Sequence, residues 1–318
     1  MQDFKKHLND ACRFDANSAN FSYWRIGGPV ALLVQPRSIE ELALAVKLSN
    51  IHQDTPSLVV GDGSNLLYDT RGFQGILIKI GNELSNIKID ESTVACDAGV
   101  WVPELAYKVS TYGLSGIEHI CGIPGRLGGL IYMNGGADRR SILENIISVE
   151  LINENGDIET EYSGNLQFAY RTSPFQNDRR IIARATLQLS QSHRKVVRAE
   201  MRKKLASRRE RFPRKLPNCG SVFLSDPNIY EQVGTPGFAI ESVGLKGVTK
   251  GGAQISTQHA NFIINTGNAT SDDVLFLIKL MRQEVYLKTG FKMSCEARYV
   301  SVTGELLQAH IPAENIGS

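Results

Sequence analysis

Gly122-Ile123-Pro124-Gly125-Arg126-Leu127-Gly128-Gly129, followed shortly by Asn134-Gly135-Gly136-Ala137, is the stretch on which the reading of the fold turns. Glycine this dense costs backbone entropy in a purely structural element and suits backbone that a bound ligand approaches closely. The Lys-Ser/Thr ending of a nucleotide-hydrolysing P-loop is missing. Upstream, Leu58-Val59-Val60 reads as a short buried strand running into Gly61-Asp62-Gly63-Ser64-Asn65, where several N–H groups can converge on one anion. Taken alone, that segment reads equally well as an ordinary turn. It lacks the third glycine and the following helix of a dinucleotide fingerprint. Together the two loops read as grips for the two phosphates of one dinucleotide cofactor.

Outward from these loops the pattern is mixed. A strand is expected at 31–35, then a helix opened by Ser38 and Glu41 as a capping box and carrying Leu42, Val46 and Leu48, then a strand at 75–80. Strands at 87–89 and 93–97, a helix at 103–112 and a loop over 122–137 form a second block. Strands at 147–152, 158–162 and 181–189 follow, with Asn155-Gly156 as a type I′ hairpin signal. A basic helix at about 195–210 leads to a third block, with a strand at 261–265 and an amphipathic helix capped by Ser271 that carries Val274, Leu277, Ile278, Met281 and Val285. The expected class is α+β, divided at 1–82, 83–197 and 198–318, with ligands in clefts between domains.

Composition narrows the function classes. At 318 residues, 42% hydrophobic and 21% charged, the chain has room for several cores and no run long enough for a membrane span. Five scattered cysteines without a C-x-x-C pair argue against a disulfide framework or a zinc cluster, and no metal is expected. No secretory signal pattern is visible, so a cytoplasmic location is expected. From Arg194 to Lys215 eleven Lys/Arg face two Glu, a local +9 within a total of +2. No aromatic residue interleaves before Phe212, so a solvated helix turning some cations toward a phosphorylated small ligand is preferred to nucleic-acid binding. The oligomeric state is left open, a monomer being admissible.

The reactive groups gather late. Cys219-Gly220-Ser221-Val222-Phe223, Gly244-Leu245-Lys246-Gly247, His259-Ala260-Asn261-Phe262 and Cys295-Glu296-Ala297 set one Ser, one His and one Glu among glycines. Each has an ordinary alternative: Ser221 capping a turn, Glu296 facing solvent from a strand, Arg171 on the surface, and His259 buried and bonding backbone near Asn261.

With Ser22-Tyr23-Trp24-Arg25-Ile26-Gly27-Gly28-Pro29 and Tyr170-Arg171-x-Ser173-x-Phe175, the motifs form an ordered series. From about residue 17 to about residue 300 the chain resembles the UDP-N-acetylenolpyruvoylglucosamine reductase (MurB) family, in its shorter subtype. The resemblance implies a two-domain FAD-binding fold of the vanillyl-alcohol-oxidase (PCMH) type plus a C-terminal α+β substrate domain. It implies NADPH as reductant and hydride transfer to the enolpyruvyl ether of a UDP-amino sugar in peptidoglycan synthesis. Arg171 then grips the enolpyruvyl carboxylate, Ser221 donates a proton to C2, and Glu296 polarises the carboxylate with Arg171. FAD is expected on Arg25, Gly61, Gly63, Ser64, Asn65, Gly122, Pro124, Gly125, Gly128, Gly129, Asn134 and Ala137. The nucleotide sugar is expected on Tyr170, Lys215, Lys246 and His259. Arg208 and Arg211 are further cations for its pyrophosphate, and for each of these cations a surface role remains open. The two cysteines beside the reactive positions, Cys219 and Cys295, read as spacers with some scope for alkylation.

Three departures from the family pattern stand out. Gly135-Gly136-Ala137-Asp138-Arg139-Arg140 replaces Ala-Gly-Ala-Tyr-Gly, Leu224-Ser225-Asp226-Pro227 replaces Lys-Asn-Pro, and Met293-Ser294-Cys295-Glu296 replaces Leu-Glu-Pro-Glu. They keep two alternatives in view: a paralogue reducing another nucleotide sugar or enol ether, and a non-catalytic flavin or nucleotide-sugar binder that contacts a partner through the basic helix.

Overall fold

The computed structural model describes residues 1–225, 230 and 233–316. Helices and strands are mixed along the chain, as the α+β expectation requires. The chain divides into two compact units. One comprises Met1–Phe14, Leu32–Asp62 and Ile76–Arg208; the other comprises Asp15–Ala31, Gly63–Gly75 and the chain from Arg209 onward.

The first unit is built around a five-stranded antiparallel sheet ordered Ile158–Tyr162, Ile146–Ile152, Ile181–Gln188, Thr93–Asp97, Ile87–Asp90. Alternation along these strands buries Val94, Cys96, Val149, Leu151, Ala185 and Leu187 with Leu105, Ala106 and Val109 of the helix Val102–Thr111. Helix Ile39–Ile51 adds Leu42, Ala45, Val46 and Leu48 to the same core. Its Ser38 cap forms, with Oγ accepting from the Glu41 N–H at 3.2 Å. The reciprocal half of the expected capping box does not: the Glu41 carboxylate instead takes the Arg37 N–H at 2.8 Å and the Arg37 guanidinium at 3.0 Å. Arg37 offers a cation as well as an N–H, and the cation wins.

Two more local expectations change. At the hairpin, Gly156 has φ +86° and Asn155 stays out of the left-handed region, so the turn is not type I′. Asn153 sets it, with Oδ1 accepting from Asn155 N at 2.9 Å and Asp157 N at 3.0 Å, and the result is a three-residue loop with one left-handed glycine. The expected loop over 122–137 contains a helix, Leu127–Tyr132. Leu127, Leu130 and Ile131 bury one face of it, and burial overrides the poor helix propensity of Gly128 and Gly129.

In the second unit, Thr249–Lys250, Ala253–Ile255 and Ile263–Asn265 form one small antiparallel sheet. Leu306–Gln308, Arg298–Val300 and Leu66–Tyr68 form another, with the last pair parallel. The long helix Ser271–Thr289 buries Val274, Leu277, Ile278, Met281 and Val285, the stripe its spacing predicts. Its cap is Thr270, one residue before the expected Ser271: Thr270 and Asp273 exchange side-chain and backbone hydrogen bonds at 3.2 and 2.9 Å. Ser271 Oγ is occupied elsewhere, accepting from Thr70 N at 3.1 Å. Trp24, fully buried, donates Nε1–H to Ile263 O at 2.7 Å and fastens the Ser-Tyr-Trp-Arg segment to this unit's core. Among the described residues no helix is long and apolar enough to cross a membrane.

One buried group gives the first unit a pH response. His119 is 2% exposed and neither ring nitrogen has a hydrogen-bond partner. Burial foremost, then the charges of Arg140 and Lys204, bring its pKa down to about 4 against opposition from Glu144 and Glu118. The unfolded chain binds a proton near pH 6.5 that the folded chain refuses until about pH 4. Stability is therefore expected to fall as pH drops through that interval, by about 2 kcal/mol. Urea unfolding at pH 7 and 4.5, compared with His119→Gln, checks this: the variant should lose most of the difference, and an unchanged difference would assign it to other groups.

Candidate active site

Glu296, far from Ser221 in sequence, is bonded through its N–H to the carbonyl of Val222, the residue that follows Ser221. Gly220 at φ +86° turns the chain into Ser221, with its N–H donating to Asn218 Oδ1 at 2.9 Å. A Cβ at Gly220 would meet nothing within 4 Å, so this side of the turn is open. The next residue, Val222, accepts from Glu296 N at 2.8 Å and from Ala297 N at 3.2 Å, while its own N–H donates to Asn261 O at 2.9 Å. Asn261 is buried, and its side chain pairs with both backbone groups of Phe223: Oδ1 accepts from Phe223 N at 2.9 Å and Nδ2 donates to Phe223 O at 3.0 Å. That pairing consumes the start of the strand expected at 261–265, which is regular only over Ile263–Asn265. Asn65 holds the other side, with Nδ2 donating to Glu296 O at 2.9 Å and its own carbonyl accepting from Arg298 N at 3.0 Å.

Both flanking thiols are buried. Burial first, then the Glu296 charge and Cys295, push the Cys219 thiol well up; burial does the same for Cys295. Neither is a thiolate at neutral pH, and the thiolate is the reactive form. Iodoacetamide on the native chain at pH 7.5 should leave both unmodified, and labelling should appear only on denaturation. Rapid native labelling at either residue by peptide mass spectrometry would contradict this.

Other groups of the second unit fall around His259. Its Nδ1 accepts from Asn261 N at 3.2 Å, and its ring lies against Phe212 and Phe262 at 5.4 and 5.0 Å. Burial, with Arg211 and Lys246 behind it, lowers its pKa. Lys246 pairs with Glu241 at 2.7 Å, and Lys215 is exposed. Arg25 is exposed and left-handed, at φ +55°. Gly63, at φ +62°, is required by the chain itself, since a Cβ there would lie 2.3 Å from Phe21 O. Ser64 is half-buried.

In the first unit, Asp62 and Arg126 tie the glycine loops together. Arg126 Nε lies 2.7 Å from Asp62 Oδ2, an ion pair without the alignment of a hydrogen bond, and its Nη1 donates to Gly99 O at 2.8 Å. Lys79 adds a second cation to Asp62 at 3.4 Å. Opposite charges inside two glycine loops, Asp62 and Arg126, are the one sign of this pairing in the sequence. Several loop glycines answer to the chain's own packing: a Cβ on Gly61 would press on Arg126 at 3.0 Å, on Gly128 on Ala98 at 3.0 Å, and on Gly122 on Arg208 at 2.6 Å. Gly125 is buried at φ +125°, Pro124 is exposed and Ala137 half-buried. Gly129 differs, since a Cβ there would meet nothing within 4 Å.

Asn134 follows the helix Leu127–Tyr132 in a left-handed conformation, φ +43°. It is buried; Nδ2 donates to Ala169 O at 2.8 Å, while Oδ1 has no partner. A buried acceptor without a donor is costly, and a ligand edge carrying N–H groups would satisfy it. With the open face at Gly129, this fits a flavin. Arg171, also left-handed at φ +55°, donates to Gly136 O at 2.9 Å and stacks over Tyr170 at 4.9 Å. Ser173 and Gln176 fasten that segment to Tyr132 O at 2.6 and 3.1 Å. Of the departures, Asp138 pairs with Lys204 at 2.6 Å. Leu224 N bonds Ser294 O at 2.9 Å, and Asp226 and Pro227 lie outside the described residues.

Comparison with known proteins finds a family match in each part of the chain. The FAD binding domain family matches residues 30–161, and the C-terminal domain family of UDP-N-acetylenolpyruvoylglucosamine reductase matches residues 212–300. UDP-N-acetylenolpyruvoylglucosamine reductase 1 of Corynebacterium glutamicum is 45% identical, covering 99% of this chain and 97% of that protein. The Carboxydothermus hydrogenoformans reductase is 37% identical over 96% of this chain and 98% of its own. The crystal structure of the Thermus caldophilus enzyme superposes with a TM-score of 0.76 at 27% identity, covering 91% of this chain and 99% of that one. With the FAD-binding domain, the C-terminal domain and near-full-length identity all in hand, the chain belongs to the UDP-N-acetylenolpyruvoylglucosamine reductase family.

Proposed function

We propose that the chain is an FAD-dependent, NADPH-consuming reductase that converts UDP-N-acetylglucosamine enolpyruvate to UDP-N-acetylmuramate, a peptidoglycan precursor. The observation that carries this is 45% identity, over 99% of the chain, to a protein bearing that enzyme's name. It acts in the cytoplasm, and one chain supplies every residue assigned below. Its parts are 1–82 and 83–197 for the cofactor and 198–318 for the substrate; family matches over 30–161 and 212–300 support the separation of the cofactor portion from the substrate portion.

Bound FAD would supply the hydride-transfer chemistry that links NADPH to C3 of the enolpyruvyl group. Asn134, with its unpartnered Oδ1, and the open face at Gly129 would hold the flavin, and the loops 61–65 and 122–129 would hold its phosphates. Hydride arriving at C3 leaves negative charge at C2 and on the substrate carboxylate. Arg171 takes that carboxylate, since a planar guanidinium binds it bidentately and stays charged in any surroundings. Glu296, sharing a proton with the carboxylate, damps the charge that develops there. Ser221 then delivers a proton to C2. The bond from Glu296 N–H to the carbonyl of Val222, next in the chain to Ser221, limits how far the two backbones shift during the reaction. Tyr170, Lys215, Lys246 and His259 contact the nucleotide sugar.

The test is direct. The purified chain should carry or take up FAD and oxidise NADPH rapidly only when the enolpyruvyl substrate is present. Flavin that NADPH reduces but the substrate never reoxidises would reject this substrate. A chain that cannot take up FAD would reject the flavoenzyme reading.

A further inference from the structure

The backbone that carries Glu296 is fastened from behind by the C-terminal segment. Leu306–Gln308 pairs with Arg298–Val300, Ala309 N donates to Ala297 O at 3.0 Å, and Ala309 and Ala313 are fully buried. Immediately after that junction, His310 Nδ1 accepts the N–H of Cys295 at 3.1 Å. Arg282 completes the bracket, donating to Met293 O at 2.7 Å and pairing with Glu314. The Cys295–His310 bond is the one made to the residue immediately before Glu296.

We propose that His310 is a positioning residue for Glu296, its neutral ring accepting the Cys295 N–H and thereby holding the Glu296 carboxyl group in register with Ser221. The inference rests on the function proposed above for that site. An imidazole accepts at Nδ1 only when neutral and protonated at Nε2; the imidazolium carries N–H on both nitrogens and cannot. The groups facing His310 are Arg282 from the long helix, Arg298 from the adjoining strand and Glu314 on its own helix. Burial first, then the two arginines, lower its pKa, so the accepting form prevails at neutral pH. Acidification breaks the bond and loosens the strand at Glu296, and the half-reaction with substrate slows while reduction by NADPH does not.

The experiment uses the full FAD-loaded chain and compares wild type, His310→Leu and His310→Asn. Asparagine places an acceptor oxygen near the Nδ1 position and does not titrate. His310→Leu should slow the substrate half-reaction about 10- to 100-fold, leave flavin reduction by NADPH unchanged, and speed amide hydrogen exchange in the peptide spanning 293–298. His310→Asn should restore both rate and protection and lose the acid limb that wild type shows in the substrate half-reaction. Unchanged rate or exchange in His310→Leu would overturn the proposal. So would failure of His310→Asn to restore them, since that would leave only a packing role. A wild type inert toward the enolpyruvyl substrate would reject the proposed function instead, and the exchange comparison would still report on the His310–Cys295 bond.

Discussion

Ser221→Ala is expected to leave reduction of the bound flavin by NADPH at the wild-type rate and to slow reoxidation by the enolpyruvyl substrate by about 10²- to 10⁴-fold, the range of one general acid. The two half-reactions separate because only the second needs a proton at C2. The loss should fall on the rate rather than on substrate affinity, since Ser221 is assigned a proton to deliver and no charge to bind. The variant leaves the fold of the turn in place. The backbone of the turn is set by Gly220, by Asn218 and by the bonds of Val222, none of which uses the serine hydroxyl. Stopped-flow absorbance of the flavin, reduced first by NADPH and then mixed with substrate, reads each half-reaction separately. If both slowed equally, Ser221 would not be the proton donor.

Asn261→Ala is expected to destabilise the chain by about 2–4 kcal/mol, because it strips partners from two buried backbone groups at once. The Phe223 N–H and C=O pair with the Asn261 side chain at 2.9 and 3.0 Å, and Phe223 itself is fully buried. Water cannot replace these bonds without opening the core formed by Val222, Phe223, Ile263 and Cys295. The same clamp fixes the Val222 carbonyl on which Glu296 is hung, so the substrate half-reaction should fall in the fraction that remains folded. Urea unfolding measures the first effect, and a loss below about 1 kcal/mol would mean that the two backbone groups find other partners.

Much of the fold was legible in the chain. The strands Thr93–Asp97 and Ile158–Tyr162 lie where alternation placed them, and the buried stripe of Ser271–Thr289 follows its helical spacing. Local competition defeated the finer readings. Arg37 draws Glu41 away from the Ser38 cap, Thr70 occupies Ser271, and Asn153 organises a turn credited to Asn155-Gly156. The helix Leu127–Tyr132 was hidden because its glycines oppose helix formation in isolation, and only the burial of Leu127, Leu130 and Ile131 outweighs that.

At the site, the motifs named the reactive side chains and left their supports unseen. The family resemblance marked Ser221, Glu296 and Arg171, because residue type and spacing alone leave each an ordinary role as a turn cap, a solvent-facing carboxylate or a surface cation. By itself, then, the sequence determined the family, the cofactor class and the candidate reactive groups. Tertiary structure alone decided which backbone holds them: the Val222 carbonyl that accepts the Glu296 N–H, the Asn261 clamp, the Asp62–Arg126 pair and the His310 bond to Cys295. Each joins residues distant in sequence through single, directional hydrogen bonds or close charges, and no local periodicity encodes contacts of that kind.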